Sequence, residues 1–430
     1  MSEPHVVVVG GGFGGLATVK ALKHAPVRVT LIDRTNHHLF QPLLYQVATA
    51  MLSPAQIASP IRALLRHQRN ASVFLAEVTG VDTARRRVCV EAADRHGCIP
   101  YDFLVLATGV HHSYFGHDEF AAHAPGLKTL DDAVAIRNRI LHTFELAETE
   151  DDPRRHPDLL TFVLIGGGPT GVEMAGAIAS LIRNTLASEF RRVDPRSARI
   201  ILVDRAPRIL ATFSEDLSQA AHARLAGLGV EIRLGHAVDC IDDRGVVVNG
   251  ERIPSRTVLW TAGVEPSPAG RWLGARTDRA GRVVVQSDLT VPERPEVFVI
   301  GDVAACEQDG KPLPGVAQVA MQQGRYVGRT IVRRATGGAP LAPFRYFDKG
   351  SMAVVGRNFA VLQSSRFRLK GWPAFLAWAA VHLEFLAQSS LRASVFLQWM
   401  WAYVTRQPGS RLIVQHHTSS PAARREELHV

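Results

Sequence analysis

The sequence is poor in cysteine and holds no recognisable metal-binding pattern. Its four cysteines, Cys89, Cys98, Cys240 and Cys306, include no C-x-x-C pair. We therefore expect neither a redox dithiol nor a zinc site, and a reducing compartment is the default. The 18 histidines include three adjacent pairs, but none has carboxylate or cysteine neighbours at ligand spacing. We predict no bound metal.

The sequence also lacks an apolar run long enough to span a membrane. The two longest uncharged stretches near the C-terminus, residues 371–383 and 393–405, have 13 residues each, whereas a spanning helix needs about 20. At the other end, no basic segment precedes an apolar one, which argues against a secretory signal peptide.

The net charge of +9 is unevenly distributed. Residues 331–430 hold 13 Lys or Arg against four Asp or Glu, so this segment alone carries +9 and the first 330 residues sum to zero. Four of the six tryptophans lie in the same segment. Basic residues mixed with tryptophan and apolar stretches favour an anionic membrane surface over nucleic acid. A homodimer that buries the apolar helix remains the alternative.

One glycine motif occurs twice, 156 residues apart. Each copy reads as an apolar strand, a G-x-G-x-x-G turn and a helix. The motif glycines are Gly10, Gly12 and Gly15 in the first copy and Gly166, Gly168 and Gly171 in the second. In such a turn the glycines permit a tight bend, a close approach to a pyrophosphate and close helix–strand packing. The free N–H groups of the helix then hold the pyrophosphate.

An acidic residue ends the strand that follows each glycine turn. Asp33 lies 23 residues beyond Gly10, near the usual spacing of about 20 for a ribose-binding acid. Asp204 lies 38 residues beyond Gly166, so the second crossover is predicted to be longer. Two dinucleotide sites in one chain suggest that one electron carrier passes electrons to another, typically a nicotinamide to a flavin.

The remaining strand signals divide the chain into three regions. Thr108-Gly109 and Ala262-Gly263 each follow an apolar strand and occupy equivalent places in the two halves, which supports an internal repeat. Gly301-Asp302 follows a further buried strand, 297–300, that returns to the first half. There Asp302 either caps a helix or binds a ribityl chain, and the upstream glycine motifs favour the second role.

We therefore predict an α/β protein with two Rossmann-like domains of the glutathione-reductase type and a C-terminal membrane-associating helical region. The first domain comprises residues 1–125 and 285–330, the second residues 126–284, and the C-terminal region residues 331–430.

Five segments resemble those of type II NADH dehydrogenases, the single-subunit NADH:quinone oxidoreductases. They are residues 33–48, 166–176 (GGGPTGVEMAG), 260–264 (WTAGV), 297–304 (VFVIGDVA) and 317–324 (AQVAMQQG). The resemblance covers nearly the whole chain, and the first and last of these segments are specific to that family.

The resemblance implies FAD in the first domain and NADH in the second. The residues it assigns to FAD are Gly10, Gly12, Gly14, Gly15, Asp33, Arg34, His38, Gln41, Thr108, Gly109, Gly301 and Asp302. The residues it assigns to NADH are Gly166, Gly168, Gly171, Asp204 and Gly263.

Four further residues have catalytic roles by the same resemblance. Glu173 matches an acid beside the nicotinamide and flavin, although a carboxylate in the first turns of a helix is often only a dipole partner. Gln318 and Gln322, at i and i+4 on one helix face, match a quinone site under the flavin, whereas an arbitrary pair of this kind is usually a solvated face. Lys349 matches a lysine near that site that supplies a proton, although a lysine in a turn is usually only solvated.

The implied activity is electron transfer from NADH through FAD to a membrane quinone, ubiquinone or menaquinone, without proton pumping. The implied location is peripheral, on the cytoplasmic face of the cell membrane. The chain departs from the family at Ala177, where many members carry Glu, and at residues 384–392 between the two apolar stretches. Arg205 and Arg208 beside Asp204 leave NADH and NADPH both open as donors.

Three other activities fit parts of the pattern. A sulfide:quinone oxidoreductase needs a cysteine pair at the flavin, and Cys306 has no partner nearby in sequence. A soluble NAD(P)H oxidase or ferredoxin reductase leaves the basic, tryptophan-rich tail unexplained. A non-enzymatic alternative is a redox-sensing flavoprotein that binds a partner and has negligible turnover.

Overall fold

A computed structural model of the chain describes residues 3–92, 95–405, 407 and 409–414. The first 125 residues supply three helices, α1 (Phe13–Ala21), α2 (Leu44–Ala48) and α3 (Ile61–Leu65). Their strands are β1 (His5–Val9), β2 (Arg28–Asp33), β3 (His37–Leu39), β4 (Ala58–Pro60), β5 (Ala71–Leu75), β6 (Glu77–Asp82), β7 (Arg87–Ala92), β8 (Arg95–Pro100), β9 (Phe103–Leu106) and β10 (Val110–His112).

The middle of the chain repeats this alternation. Its helices are α4 (Leu130–Thr149), α5 (His156–Leu159), α6 (Pro169–Asn184), α7 (Glu215–Gly227) and α8 (Ala269–Leu273). Its strands are β11 (Thr161–Ile165), β12 (Arg199–Asp204), β13 (Val230–Leu234), β14 (Val238–Asp242), β15 (Gly245–Val248), β16 (Glu251–Pro254), β17 (Thr257–Trp260), β18 (Val264–Pro266) and β19 (Val283–Val284).

The remainder supplies a return to the first sheet and a C-terminal layer. Its helices are α9 (Ala317–Ala335), α10 (Trp372–Phe385) and α11 (Ser389–Thr405). Its strands are β20 (Thr290–Val291), β21 (Arg294–Val299), β22 (Ala304–Ala305), β23 (Glu307–Gln308), β24 (Lys311–Pro312), β25 (Ser351–Val354), β26 (Ala360–Gln363) and β27 (Arg368–Gly371).

The first sheet has the order β20-β21-β9-β1-β2-β5, with every neighbouring pair parallel except β20 and β21. A parallel sheet covered on both faces reads as a continuous apolar run, and β1 shows this pattern. Val6 and Val8 pack on the helical face with α1 and α9. Val7 and Val9 pack on the opposite face against the antiparallel sheet β6-β7-β8.

The second sheet repeats this plan with the order β13-β12-β11-β17, all parallel. The antiparallel sheet β14-β15-β16 occupies the place that β6-β7-β8 has in the first half. The longer crossover predicted before Asp204 is present, since α6 has 16 residues against nine in α1. Strands β10 and β18 pair antiparallel and join the two halves directly behind the Thr108-Gly109 and Ala262-Gly263 turns.

The C-terminal layer consists of the antiparallel sheet β25-β26-β27 with α10 and α11. Its core side chains, among them Val354, Trp378 and Val395, join the same apolar cluster as Val172 and Met174 of α6. Within the described ranges, no helix combines the length and apolarity needed to cross a membrane. The layer therefore rests on the second half of the protein, and residues 415–430 of the predicted C-terminal region lie outside the description.

Two of the four cysteines form a disulfide, which their spacing in the sequence did not predict. Strands β7 and β8 pair antiparallel with Cys89 opposite Cys98, and the two residues form a disulfide with Cα atoms 4.2 Å apart. The sequence separation of nine conceals this pairing, because only the hairpin register brings the two side chains together. Cys240 and Cys306 are free.

Helices α1 and α9 pack with almost no space between their backbones. A Cβ on Gly324 would overlap the carbonyl oxygen of Gly14, and one on Gly328 would lie 2.5 Å from Cβ of Ala21. Two glycines one turn apart on α9 therefore set the distance between the helices. This contact fixes α9, which carries the glutamine motif, against the first glycine turn.

Replacing Gly324 by alanine is expected to destabilise the protein by about 2 kcal/mol, because the new methyl group must displace backbone. Urea unfolding followed by circular dichroism measures this change. Gly227→Ala is the matched control, since Gly227 is helical and nothing lies within 4 Å of the added Cβ. That variant should be as stable as the parent or slightly more stable. Equal stability of the two variants would contradict the packing argument.

Candidate active site

The first glycine turn has a backbone that excludes side chains. Gly10 has φ of +99°, and a Cβ on Gly15 would overlap the carbonyl oxygen of Gly10. The helix α1 therefore starts directly against the end of β1. In the second copy Gly166 has φ of +114°, and a Cβ on Gly171 would overlap the carbonyl oxygen of Gly166. The same bend is thus built twice.

The middle glycine of each turn faces open space. No atom lies within 4 Å of the position of a Cβ on Gly12 or on Gly168. These two residues are the N-caps of α1 and α6, and neither helix start receives a side-chain cap. Unsatisfied N–H groups at a helix start attract an anion. Both turns therefore fit a dinucleotide pyrophosphate.

The carboxylate of the acid that follows each glycine turn accepts a hydrogen bond from the backbone of that turn. The N–H of Gly11 donates to Oδ2 of Asp33 at 2.5 Å, and the N–H of Gly167 donates to Oδ2 of Asp204. The second oxygen of Asp33 accepts from the N–H of Thr35 at 2.7 Å. Each carboxylate is therefore held in place at the strand end, where a carboxylate also reaches a ribose hydroxyl.

Asp302 follows the turn at Gly301, whose φ is +74°. Its carboxylate caps no helix and forms no hydrogen bond with the described residues, so its oxygens are available to a polyol. Burial raises the pKa of Asp302, and the nearby charges of Lys128 and Arg282 oppose this effect. These features fit the predicted contact with the ribityl chain of FAD better than the helix-capping alternative.

Gln323 is a site residue that the sequence did not reveal. Its side chain is 1% exposed, and its Oε1 accepts from the N–H of Gly301 at 2.7 Å. The side chain thereby fixes the Gly301-Asp302 turn from α9. The signal was concealed because Gln323 lies beside Gln322, which drew attention to the other face of the helix.

The other predicted FAD residues surround the first turn in different ways. His38 is buried, and its Nδ1 pairs with the carbonyl oxygen of Gly11 at 2.9 Å, while burial lowers its pKa. Gln41 donates from Nε2 to the carbonyl oxygen of Lys128 at 3.1 Å. The hydroxyl of Thr108 lies 2.5 Å from that of Ser267.

Four other predicted cofactor residues make no side-chain hydrogen bond with the described residues. Arg34 is exposed. Gly109 has φ of +67° and Gly263 has φ of +70°. A Cβ on Gly14 would lie 3.1 Å from Cδ1 of Ile300, so this glycine serves the packing of α1 beneath the turn.

Glu173 lies in the second turn of α6, beneath the C-terminal sheet. Its Oε1 accepts from the N–H of Val354 in β25 at 3.3 Å. Burial raises the pKa of Glu173 to about 8. A carboxyl group with this pKa exchanges a proton near neutral pH, which suits a residue that holds or moves a proton.

The two glutamines of α9 differ in their surroundings. The amide of Gln318 forms no hydrogen bond with the described residues and is available to a ligand. The amide of Gln322 is already paired, because its Nε2 donates to the carbonyl oxygen of Phe347 at 2.9 Å and its Oε1 accepts from that residue's N–H at 3.0 Å. Gln322 therefore holds the segment 341–350 against α9. Lys349, in the same segment, has its Nζ 5.3 Å from the centroid of the Phe385 ring.

A row of aromatic rings connects the first glycine turn to the C-terminal helices. Phe13 lies 5.9 Å from Phe40, Phe40 lies 6.2 Å from His382, and His382 lies 4.5 Å from Trp378, measured between ring centroids. Trp399 continues the row 5.3 Å from Trp378. Burial lowers the pKa of His382 to about 4, so its ring is neutral at physiological pH. Sequence reasoning missed this row because its members come from four separate segments.

The cysteines do not provide a redox pair at the site. Cys306 is buried next to Gln323, and burial raises the pKa of its thiol. Cys89 and Cys98 are paired with each other, and Cys240 is exposed on β14. The cysteine pair required for sulfide oxidation is therefore absent from these four residues. In the described part of the chain no group of three or more potential metal ligands comes together.

Two glycine turns, each at the end of a parallel strand and each closed by an acid, define a flavoprotein with two dinucleotide-binding folds. Comparison with known proteins agrees, because residues 4–324 match the pyridine nucleotide-disulphide oxidoreductase family.

Individual relatives narrow this class. The chain is 45% identical to the type II NADH:quinone oxidoreductase Ndh of Mycobacterium tuberculosis, over 98% of this chain and 93% of the relative. It is 43% identical to NdhA of the same organism, over 95% and 89%. The structure of NDH2 from Plasmodium falciparum in complex with NADH matches with a TM-score of 0.86 and 18% identity, over 96% of this chain and all of that one. The chain therefore belongs to the pyridine nucleotide-disulphide oxidoreductase family and, within it, to the type II NADH:quinone oxidoreductases.

The open positions at the two turns allow a paired test of the cofactor sites. Gly12→Ala should lower the FAD content of the purified protein, because the methyl group enters the space of the FAD pyrophosphate. Gly168→Ala should retain FAD and raise the Kd for NADH at least tenfold, a loss of about 1.4 kcal/mol. Flavin absorbance after gel filtration and NADH titration by calorimetry measure the two effects.

Each of these variants is the control for the other, because neither Cβ meets a protein atom and both should fold normally. Loss of FAD in Gly168→Ala with normal FAD in Gly12→Ala would reverse the assignment of the two halves.

Proposed function

We propose that this chain oxidises NADH and reduces a membrane quinone, with FAD between them. The duplicated glycine turn with an open central position carries this proposal, since it provides one cradle for each dinucleotide. Identity of 43–45% to two type II NADH:quinone oxidoreductases supports it. In this division FAD lies in residues 1–125 and 285–330, NADH lies in residues 126–284, and residues 331–430 form the membrane and quinone-access region.

When bound, FAD supplies the two-electron chemistry, accepting a hydride from NADH and returning two electrons to a quinone. The chain's residues bind, orient and exclude water. The first turn with Asp33 and Asp302 holds the flavin nucleotide, and the second turn with Asp204 holds NADH. Glu173, with its raised pKa, holds a proton beside the reacting rings.

Gln318 is the proposed contact for the quinone, since its amide is free while that of Gln322 is paired with Phe347. Gln322 then holds the segment 341–350 against α9, and Lys349 in that segment is the proposed proton donor to the quinone. Glu384 is the only acid in α10 and α11. These helices therefore offer no series of carboxylates to carry protons, and we propose that turnover is not coupled to pumping.

The proposed membrane surface is the outer face of α11. Its exposed apolar side chains are Phe396, Leu397, Met400, Trp401, Tyr403 and Val404. Exposed apolar patches of this kind mark interaction surfaces. Together with the basic charge of residues 331–430, this face supports peripheral attachment to an anionic membrane on the cytoplasmic side, where NADH is available. Ubiquinone and menaquinone are both compatible with the site.

Gln318→Leu tests the quinone assignment. Stopped-flow mixing with NADH should bleach the flavin at the parental rate, whereas reoxidation by a short-chain quinone should slow by roughly tenfold, the loss expected from one hydrogen bond to the substrate. Gln219→Leu, at an exposed position of α7, controls for general effects of removing an amide. Equal slowing of both half-reactions would remove Gln318 from the quinone site. Parental protein that NADH does not bleach would contradict the proposed function itself.

Leu397→Gln tests the membrane surface. Leu397 is 65% exposed, and we expect roughly fivefold weaker binding to phosphatidylglycerol–phosphatidylcholine vesicles, since partial burial of a leucine contributes about 1 kcal/mol. Leu146→Gln, on α4, is the control at another exposed leucine and should bind as the parent does. Vesicle co-sedimentation measures the binding. If the parental protein forms a dimer through this face and does not bind vesicles, a second copy of the chain covers the outer face of α11 and the membrane proposal is wrong.

A further inference from the structure

One indole group of the C-terminal helix α11 is hydrogen-bonded to a buried side chain of α2. Nε1 of Trp399 donates to Oε1 of Gln46 at 2.7 Å. Nε2 of Gln46 in turn donates to the hydroxyl oxygen of Tyr45 at 3.0 Å. Tyr45 and Gln46, both in α2, are only 5% and 6% exposed. Three side chains from opposite ends of the sequence thus form one buried hydrogen-bonded line.

The direction of this line follows from the chemistry of its first member. An indole N–H can only donate, so the atom of Gln46 that faces Trp399 must be the oxygen. The amide nitrogen therefore faces Tyr45, and the phenol oxygen must accept. The hydroxyl proton of Tyr45 then points elsewhere, and it meets no acceptor among the described residues. A buried donor without a partner is unfavourable, so a nearby acceptor would gain this proton readily.

The carboxyl group of Glu173 belongs to the neighbouring helix α6 and can accept this proton. Helix α2 packs against α6, and the charge of Glu173 contributes to raising the pKa of Tyr45. From β25 Glu173 receives only the N–H of Val354, so its remaining lone pairs are unsatisfied by the described residues. A carboxyl group with this surplus accepts a further donor when it ionises.

The titratable groups around Glu173 are few. Tyr45 is the only one in α2, and β25 contains none. Helix α10 packs on β25 and brings His382, which burial keeps neutral, and the exposed Glu384. Arg183, the other charged residue of α6, lies at the far end of the helix beside Gly229. The pKa of Glu173 responds to burial and to the N–H of Val354, with no charged side chain of the described residues contributing.

We propose that Tyr45 is a positioning residue that donates its hydroxyl proton to Glu173 when that carboxyl ionises, and that Trp399 holds Tyr45 in this role through Gln46. Without the indole N–H, the Gln46 amide can turn over and present its oxygen to Tyr45. The phenol proton then binds Gln46, and the carboxylate loses its donor. The docking of α11 thereby sets the proton affinity of a carboxyl group in the second dinucleotide-binding half.

Infrared titration of the FAD-loaded protein without NADH tests this proposal. The protonated-carboxyl band of Glu173, identified by its absence in Glu173→Gln, gives the pH midpoint directly. Tyr45→Phe and Trp399→Phe should each raise this midpoint by about one pH unit, the effect of losing one hydrogen bond to the charged form. The double variant should shift no further than Tyr45→Phe alone, because both substitutions remove the same bond.

Trp378→Phe is the matched control. Trp378 lies 5.3 Å from Trp399 between ring centroids, and its indole N–H has no hydrogen-bond partner among the residues that the structure describes. Trp399→Phe therefore removes an indole N–H that donates a hydrogen bond to Gln46. Trp378→Phe removes an indole N–H that donates none to the described residues. The midpoint of Trp378→Phe should equal that of the parent.

Gln46→Met separates this role from loosening of α11. The variant breaks the bond to Trp399 but leaves Tyr45 nothing else to bind, so the midpoint of Glu173 should stay at the parental value. A purely structural role of Trp399 would make Gln46→Met shift as far as Trp399→Phe, and that result would overturn the proposal. An unchanged midpoint in Tyr45→Phe or in Trp399→Phe would overturn it as well. Because NADH is absent, these outcomes are independent of whether the enzymatic assignment holds.

Discussion

The contact between each nucleotide-binding helix and the strand before it leaves no room for a side chain, and the arrangement of the protein depends on this contact. At Gly15 and at Gly171 a single methyl group would collide with the carbonyl oxygen of the bend. The close approach directs the helix N-terminus at the open space beside the middle glycine, where free N–H groups suit the binding of an anion. It also fixes the position of α1 relative to the first sheet, and α9 packs against α1 through Gly324 and Gly328. The glutamine motif on α9 is therefore positioned by the same backbone contact.

The C-terminal layer completes the second half of the protein rather than standing apart from it. Its strand β25 supplies the N–H of Val354 to Glu173, and its helix α11 supplies the indole N–H that orients the Gln46 amide. The segment 341–350 that leads into this layer is fastened to α9 by Gln322. The region that carries the proposed membrane surface thus contacts both dinucleotide-binding halves by hydrogen bonds.

Sequence reasoning succeeded where the chemistry is local. The glycine turns, the strand ends at Asp33 and Asp204 and the longer second crossover were predictable, because each depends on residues within about one supersecondary unit. It failed where pairing depends on tertiary structure. Gln46 and Trp399 are 353 residues apart, and the disulfide between Cys89 and Cys98 depends on the register of one hairpin. The pairing of Gln322 with Phe347 was also hidden, since an i, i+4 pattern identifies a shared helix face but not what that face meets.

Helix α11 shows why hydrophobicity alone was ambiguous for the C-terminal region. Its polar atoms face the protein, since Ser394 accepts from Gln56 at 3.0 Å and Trp399 donates to Gln46. Its outward side chains include Leu397, which is 65% exposed, and Val404, which is 73% exposed. Val395 of the same helix is fully buried in the core, so α11 carries apolar side chains on its inner face and on its outer face. A helix on a water-exposed surface has them only on the side that faces the core. Hydrogen bonds and the buried Val395 together hold α11 on the protein, while the apolar side chains of its outer face stay exposed. The proposed attachment of this outer face to a lipid surface needs no helix long enough to cross the bilayer.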